Sequence, residues 1–313
     1  MDYDVFNGDA DGIISLVQLR LSEPRDAKLI TGRKRDIQLL ERVSAQVGDR
    51  VTVLDISMRS NLTDLQRVLS EGASVLYFDH HNAGEGVDHP YLEAHINTAG
   101  EICTAVLVDQ YLKGAHRAWA VAASYGDNFP AMAERLANGY DLPLDALKIL
   151  GEMVNYNGYG ASEADLHYHP ADLYKEMAGF ETPMAFMDEK RHVLGKLKQG
   201  YADDFRMAKD SSVLASDASG EIRVLPGAAA SRRISGMFGN QLAQENPDRA
   251  HAILTEQDGG FLVSIRAPIS EREGADKLAL QFDTGGGRAA AAGINHLQTR
   301  DLDRFVEAFR KAF

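Results

Sequence analysis

The sequence predicts an α/β protein: an N-terminal, mostly parallel sheet with flanking helices, followed by a smaller α+β domain. Three observations predict it. Short apolar runs alternate with helical patterns as far as Phe78, and the texture changes again near Ser211. The length of 313 residues also exceeds what one hydrophobic core usually organises.

Taken in order, residues 3–6, 28–31, 50–56 and 74–78 read as strands, with helices at 13–21, 36–47 and 62–69 between them. From Glu101 the signal is helical, at 102–112, 117–125, 131–136 and 144–153. The charged stretch 171–206, with Pro183 as its main turn signal, reads as the end of the first domain plus a connecting helix. Beyond Ser211, strands are expected at 213–216 and 222–225, then a helix at 229–244. Strands at 252–255 and 261–266 flank Gln257-Asp258-Gly259-Gly260, a hairpin signal. The glycine run Gly285-Gly286-Gly287 and a helix at 301–313 complete the chain. The expected organisation is a metal-binding domain over 1–190, a connector over 191–210 and a substrate-binding domain over 211–313. No internal repeat or low-complexity tract is visible.

Lys and Arg number 33 against 46 Asp and Glu, a formal net charge of −13. So acidic a chain repels a long polyanion unless a local basic patch intervenes, yet leaves room for a short nucleotide held by a few arginines and cations. The lone Cys103 excludes an internal disulfide and a multi-cysteine zinc site. No basic leader with an apolar stretch is visible at the start, and no apolar run approaches the ~18 residues of a membrane span. A cytoplasmic enzyme with no membrane partner is expected.

Four short segments carry carboxylates or imidazoles where a predicted strand or helix ends. Asp9 and Asp11 lie in Phe6-Asn7-Gly8-Asp9-Ala10-Asp11-Gly12; Asp55 ends 51–54; Asp79-His80-His81 ends 75–78; Asp127 follows the helix ending at Tyr125. A lone Asp at a strand end is usually a turn or N-cap residue. Four such segments in succession differ, because the carboxyl ends of strands in an open α/β sheet converge on one crevice. Crowded carboxylates there would repel one another, and divalent cations relieve the repulsion. A mixed Asp and His set suits Mn²⁺ or a related first-row ion better than Ca²⁺. A pair of ions bridged by a carboxylate can activate water and neutralise a phosphoryl group under attack.

These residues, in this order, resemble the DHH superfamily of phosphoesterases, and the whole chain resembles its DHH–DHHA1 branch. That branch includes RecJ-like exonucleases, nanoRNases and dinucleotide phosphodiesterases. The resemblance implies two divalent ions, Mn²⁺ by preference, bridged by Asp55. It implies that Asp9 serves one ion and that Asp11, His80 and Asp127 serve the other. His81 would face the scissile phosphate, and Asp79 would orient the neighbouring histidine. Near the C-terminus, Asp283-Thr284-Gly285-Gly286-Gly287-Arg288 resembles the DHHA1 motif, whose glycines let backbone approach a nucleotide. Ser264-Ile265-Arg266 resembles the preceding strand, whose arginine holds substrate. Taken alone, the glycine run would be a flexible turn before an Ala-rich packed helix.

Two motifs depart from the pattern. In the first motif Val5 stands where many nanoRNase-type members have His, and Asn7, a neutral substitute ligand, where RecJ-like members have Asp; Arg288 stands where the glycine motif normally continues with His. A guanidinium grips phosphate or a guanine edge bidentately, as imidazole cannot. The expected activity is hydrolysis of short linear nucleotides, 5′-phosphorylated dinucleotides such as pGpG or nanoRNA, to mononucleotides. A cyclic dinucleotide phosphodiesterase, a pAp phosphatase or a catalytically weak nucleotide binder are the alternatives. The expected partner is the short nucleotide and no long nucleic acid, with a homodimer allowed. Arg232 and Arg233 read as solvated helix charge, His167 and His169 as a surface loop, and Trp119, Tyr125 and Cys103 as core.

Overall fold

In the first part of the chain, alternate residues of each apolar run face opposite ways, and both faces are covered. The computed structural model describes residues 1–313 and divides into two units, Met1–Gln199 and Gly200–Phe313. In the first, β1 (Asp2–Phe6), α1 (Ala10–Ser22), β2 (Lys28–Ile30), β3 (Arg50–Leu54), α2 (Leu62–Ser70), β4 (Ser74–Asp79) and β5 (Leu92–Ile96) build a sheet ordered β2-β1-β3-β4-β5. Every neighbouring pair is parallel. Val5, Val53 and Tyr77 pack on one face against Leu39, Leu65 and Val68. Phe6, Leu54 and Phe78 pack on the other against Ile13 and Val17 of α1. Double coverage is why these strands are continuous apolar runs. Each such side chain contributes roughly 1.5–3 kcal/mol on full burial.

Helices α3 (Thr104–Tyr111), α4 (Arg117–Gly126), α5 (Pro130–Ala137), α6 (Leu144–Asn157), α7 (Pro170–Met177), α8 (Pro183–Glu189) and α9 (Arg191–Lys209) follow. α1 packs against α3, α4, α6 and α7, and Trp119 of α4 is fully buried with its indole N–H donating to the Phe180 carbonyl at 3.1 Å. No helix is long and apolar enough to cross a membrane.

One expectation needs correction here. Residues 36–47 are not a helix; only a single 3₁₀ turn forms, Leu39–Arg42. Asn61 accepts from the Leu40 N–H at 3.2 Å and donates to the Ile37 carbonyl, while Arg67 donates to the Leu40 and Val43 carbonyls at 3.0 and 2.9 Å. Side chains from elsewhere thus occupy backbone groups that a helix would have paired with itself. The stretch 171–206, read with Pro183 as its turn signal and a connecting helix at its end, consists of three helices, two of which start with a proline at their first position. Finally, β5 was not expected, because Leu92-Glu93-Ala94-His95-Ile96 is a half-exposed edge strand without an apolar run.

The second unit contains β6 (Ser212–Ser216), β7 (Gly220–Leu225), α10 (Ala229–Glu245), β8 (Ala250–Gln257), β9 (Gly260–Arg266), α11 (Ala275–Ala279), β10 (Gly285–Arg288), β11 (Ala291–Gln298) and α12 (Leu302–Ala312). The sheet order is β10-β11-β9-β8-β7-β6, antiparallel except for the β7–β8 pair. Leu254, Val263, Ile265 and Ile294 pack against Leu278 of α11 and Phe305 and Phe309 of α12. The glycine run is itself a strand, β10, and the alanines after it enter β11, so neither a flexible turn nor an Ala-rich helix forms there. A Cβ on Gly285 would stand 1.8 Å from the Ala279 carbonyl oxygen. Glycine at this position lets the strand lie against the end of α11.

Candidate metal centre

The carboxyl ends of β1, β3 and β4 deliver most of the acidic and imidazole groups to one place. Asp9 is the N-cap of α1, its Oδ1 accepting from the Gly12 N–H at 3.1 Å. Asp11, further along the first turn, accepts from the Thr104 and Ala105 N–H groups at the start of α3, each at 2.7 Å. Those two bonds fix the plane of its carboxylate. Asp55 follows β3 with φ of 59°, a left-handed conformation that Asp and Asn tolerate better than most residues. Its Oδ1 accepts from the Thr104 hydroxyl at 3.0 Å. Asp79 is the last residue of β4, and His80 and His81 turn away from the strand behind it.

Asp127 comes from a helix end instead, as the C-cap of α4. Where that helix ends relative to α1 depends on Gly126 and Gly151. A Cβ on Gly151 would stand 1.9 Å from the Ala122 carbonyl oxygen, and one on Gly126 would stand 2.5 Å from the Ala10 Cβ. α4 therefore lies backbone to backbone against α6, and its end rests on the Ala10 methyl of α1.

The groups meet around one imidazole nitrogen. His80 Nδ1 is 2.7 Å from the Ile102 carbonyl, which can only accept, so Nδ1 carries a proton and Nε2 is the ring nitrogen left to face the carboxylates. His80 Nε2 lies 3.5 Å from Asp55, 3.7 Å from Asp127 and 3.9 Å from Asp11. Donor atoms about 2.0–2.2 Å from a shared ion stand roughly 3–4 Å apart, so this spacing fits a cation among them. His81 turns its Nδ1 to Asp79 Oδ1 at 2.8 Å, and Asp55, His80 and His81 form a second group with donor atoms close together. Asn7 Oδ1 and Asp79 Oδ2 are buried with no hydrogen-bond partner, as befits a site that receives a further polar group. The donor set fits a divalent metal.

Electrostatics point the same way. Burial, then the charges of Asp11, Asp9, Asp127 and Asp79, push the Asp55 carboxyl well above the usual carboxylate range. Burial, then Asp11 and Asp9, push Asp127 up to about 7. Asp9 moves in the opposite direction: burial would raise it, but the Lys34 ammonium overrides burial and holds it down. The hydrogen bond from His81 to Asp79 raises the imidazole above its ordinary value, against burial. Burial and the nearby Asp11 and Asp127 hold the Cys103 thiol well above its ordinary value; it is the fully buried residue before α3.

Lys34, Thr104 and Asn155 escaped the sequence reading. Lys34 lies after β2, within Arg33-Lys34-Arg35, and its Nζ is 2.7 Å from Asp9 Oδ2 and 3.0 Å from Asn155 Oδ1. A basic triplet just past a parallel strand was the available signal, since the ligand segments occupy the equivalent place after other strands.

In the second unit, Arg266 and Arg288 pair with the same residue from opposite sides. Both oppose Ala291 of β11, so all three share one face of the sheet. On that face Gly286 and Ser264 oppose Gly293, and a Cβ on Gly286 would meet open space. The result is a strip nearly bare of side chains with an arginine at either side. The Arg266 guanidinium donates to Asn240 Oδ1 at 2.5 Å, Ser264 Oγ at 3.0 Å and the Gly236 carbonyl at 3.2 Å. Arg288 is exposed.

The remaining candidates have structural partners. Arg233 is not solvated charge, because it grips Asp204 through two bonds at 2.7 and 2.8 Å, and Arg232 donates to the Gly227 carbonyl. His167 meets the Tyr156 hydroxyl at 2.9 Å, and His169 caps α7. Tyr125 is buried with Trp119 in the core.

No family profile matches the chain, and no curated protein matches it. Solved structures do. A DHH-domain protein, described as a member of a family of ribosomal proteins, aligns with TM-score 0.66 and 14% identity, over 99% of this chain and 85% of its own. Exonuclease RecJ bound to manganese aligns with TM-score 0.58 and 13% identity, over 99% and 89%. The pGpG-specific phosphodiesterase PggH from Vibrio cholerae aligns with TM-score 0.53 and 17% identity, over 99% and 98%. The chain therefore has the DHH fold, a parallel-sheet unit followed by a second, mixed-sheet unit.

Proposed function

We propose that this protein is a metal-dependent phosphoesterase that hydrolyses short linear nucleotides, 5′-phosphorylated dinucleotides of the pGpG kind or nanoRNA, to mononucleotides. The observation that carries the reading is His80 Nε2 turned toward three carboxylates, Asp11, Asp55 and Asp127, at 3.5–3.9 Å. Those four side chains would hold a divalent ion, Mn²⁺ or a chemically similar one. When bound, such an ion lowers the pKa of water and neutralises charge on the phosphoryl group.

The chain's own groups do the rest. Thr104 and the start of α3 keep Asp55 and Asp11 in fixed orientations. Asp79 keeps a proton on His81 Nδ1, leaving Nε2 to face the phosphate, and the raised imidazole pKa favours the charged form that grips it. In the second unit, Arg288, Arg266 and the bare strip of Gly286 and Gly293 would take a terminal phosphate or base. The net charge of −13 supports a short substrate over a long strand.

Likeness to the pGpG phosphodiesterase and to RecJ supports this chemistry, and the first of these is covered over 98% of its length. Incubation with Mn²⁺ and pGpG should yield GMP, read by chromatography. Absence of turnover on pGpG, other linear dinucleotides and longer nanoRNA overturns the reading. Tight nucleotide binding without turnover would instead identify a binding protein, a reading that the Val5 and Arg288 departures favour.

A further inference from the structure

Lys34 places an ammonium against Asp9, the residue that the two-ion expectation assigned to one of the cations. Its ammonium lies 2.7 Å from Asp9 Oδ2, 3.6 Å from Asp127 Oδ1 and 3.0 Å from Asn155 Oδ1, with the Tyr159 ring centroid at 5.6 Å. Two carboxylates, an amide oxygen and an aromatic face suit a half-buried ammonium. The position is also built, not incidental. The Lys34 N–H donates to the Gly158 carbonyl at 2.9 Å, and its own carbonyl accepts from Asn7 Nδ2 at 3.3 Å. Arg33 next to it is fastened to Asp36 and to the Ala161 carbonyl.

Asp9 already has a positive charge in contact with it. Its Oδ1 accepts from the Gly12 N–H and its Oδ2 faces Lys34, while Val5, buried on β1, supplies no donor atom. Neither compact donor group, Asp11–His80–Asp127 nor Asp55–His80–His81, includes Asp9. A divalent ion on Asp9 would have to share its carboxylate with an ammonium in contact with it, and the like charges would repel.

We propose that the Lys34 side chain stands in place of one cation, so that the site holds a single divalent ion, at Asp11, Asp55, His80 and Asp127, with the lysine as its second positive charge. This rests on the metal-dependent reading above and departs from the expectation of two ions. It also gives Lys34 a task at the substrate: a fixed ammonium beside the ion can pair with a phosphoryl oxygen without exchanging with solvent metals.

The test counts bound Mn²⁺ by equilibrium dialysis with elemental analysis and reads electron paramagnetic resonance of the same samples. The natural protein should bind one Mn²⁺ per chain, with the six-line signal of an isolated ion. Lys34→Met should bind two, with the broadened signal of a coupled pair, and Lys34→Arg should keep one. Two ions per chain in the natural protein overturn the proposal, whatever the variants do. One ion in both the natural protein and a folded Lys34→Met overturns it too, since the lysine then displaces nothing. No bound Mn²⁺ at all overturns the metal-dependent reading itself. One bound ion without hydrolysis of any nucleotide would remove the proposed activity and leave the assignment of Lys34 standing.

Discussion

Asp9 and Asp127 line the same acidic cluster, yet their carboxyls are driven in opposite directions. Asp9 has an ammonium at 2.7 Å and is held down despite complete burial. Asp127 has the same ammonium at 3.6 Å and an imidazole at 3.7 Å, and is still pushed up to about 7. Close contact with one fixed cation outweighs desolvation, and a slightly longer contact does not. One edge of the cluster is thus electrostatically complete, while the edge around Asp55 and Asp127 still lacks a positive charge. The second unit is the complement, with Arg266 and Arg288 beside a bare strip, each opposed across the sheet by residues without negative charge.

The largest effect should come from the uncompensated edge. Asp55→Asn keeps the left-handed backbone acceptable and removes one charge. It should lower kcat/KM on the order of 10³-fold, about 4 kcal/mol of transition-state stabilisation. Its metal-free melting temperature should not fall below that of the natural protein. Kinetics within tenfold of the natural protein would contradict a ligand role for Asp55.

Asp127→Asn sharpens the same contrast through pH. The folded-state pKa of about 7 lies above the ordinary 3.8, so the metal-free native state binds more protons than the unfolded chain between those values. This carboxyl therefore costs stability progressively as pH rises through that window. Without metal, the Asn variant should melt higher than the natural protein at pH 8, by a few degrees. The gap should close as pH falls toward 4. A gap that does not change with pH would mean that Asp127 ionises freely in the fold. Smallest of all should be Arg288→Ala. Losing one exposed guanidinium contact should raise KM about threefold to tenfold and leave kcat alone; an unchanged KM takes Arg288 out of the substrate site.

How far such a site can be read beforehand depends on where each group gets its position. Asp9, Asp55, Asp79 and His80 are placed by parallel strands, whose apolar runs and ends are visible in the residue order itself. Lys34 is different, because its place follows from a loop fastened to Asp36, Ala161 and Gly158, contacts that no local pattern announces. The same applies to residues 36–47, where helical spacing is genuine but Asn61 and Arg67 claim the backbone. The glycine run misled in the opposite sense. Its composition indicates a loop, whereas Gly285 is there because α11 leaves no room for a side chain and the segment pairs as β10.

The crossing of α4 with α6 has a consequence for how the protein tolerates change. Asp127 has no strand beneath it, so its reach toward His80 is set by how near two helices can come. A methyl group at Gly151 would wedge them apart and carry the carboxylate with the displaced helix end. A position that touches neither ion nor nucleotide would then detune the chemistry while the rest of the fold looked sound.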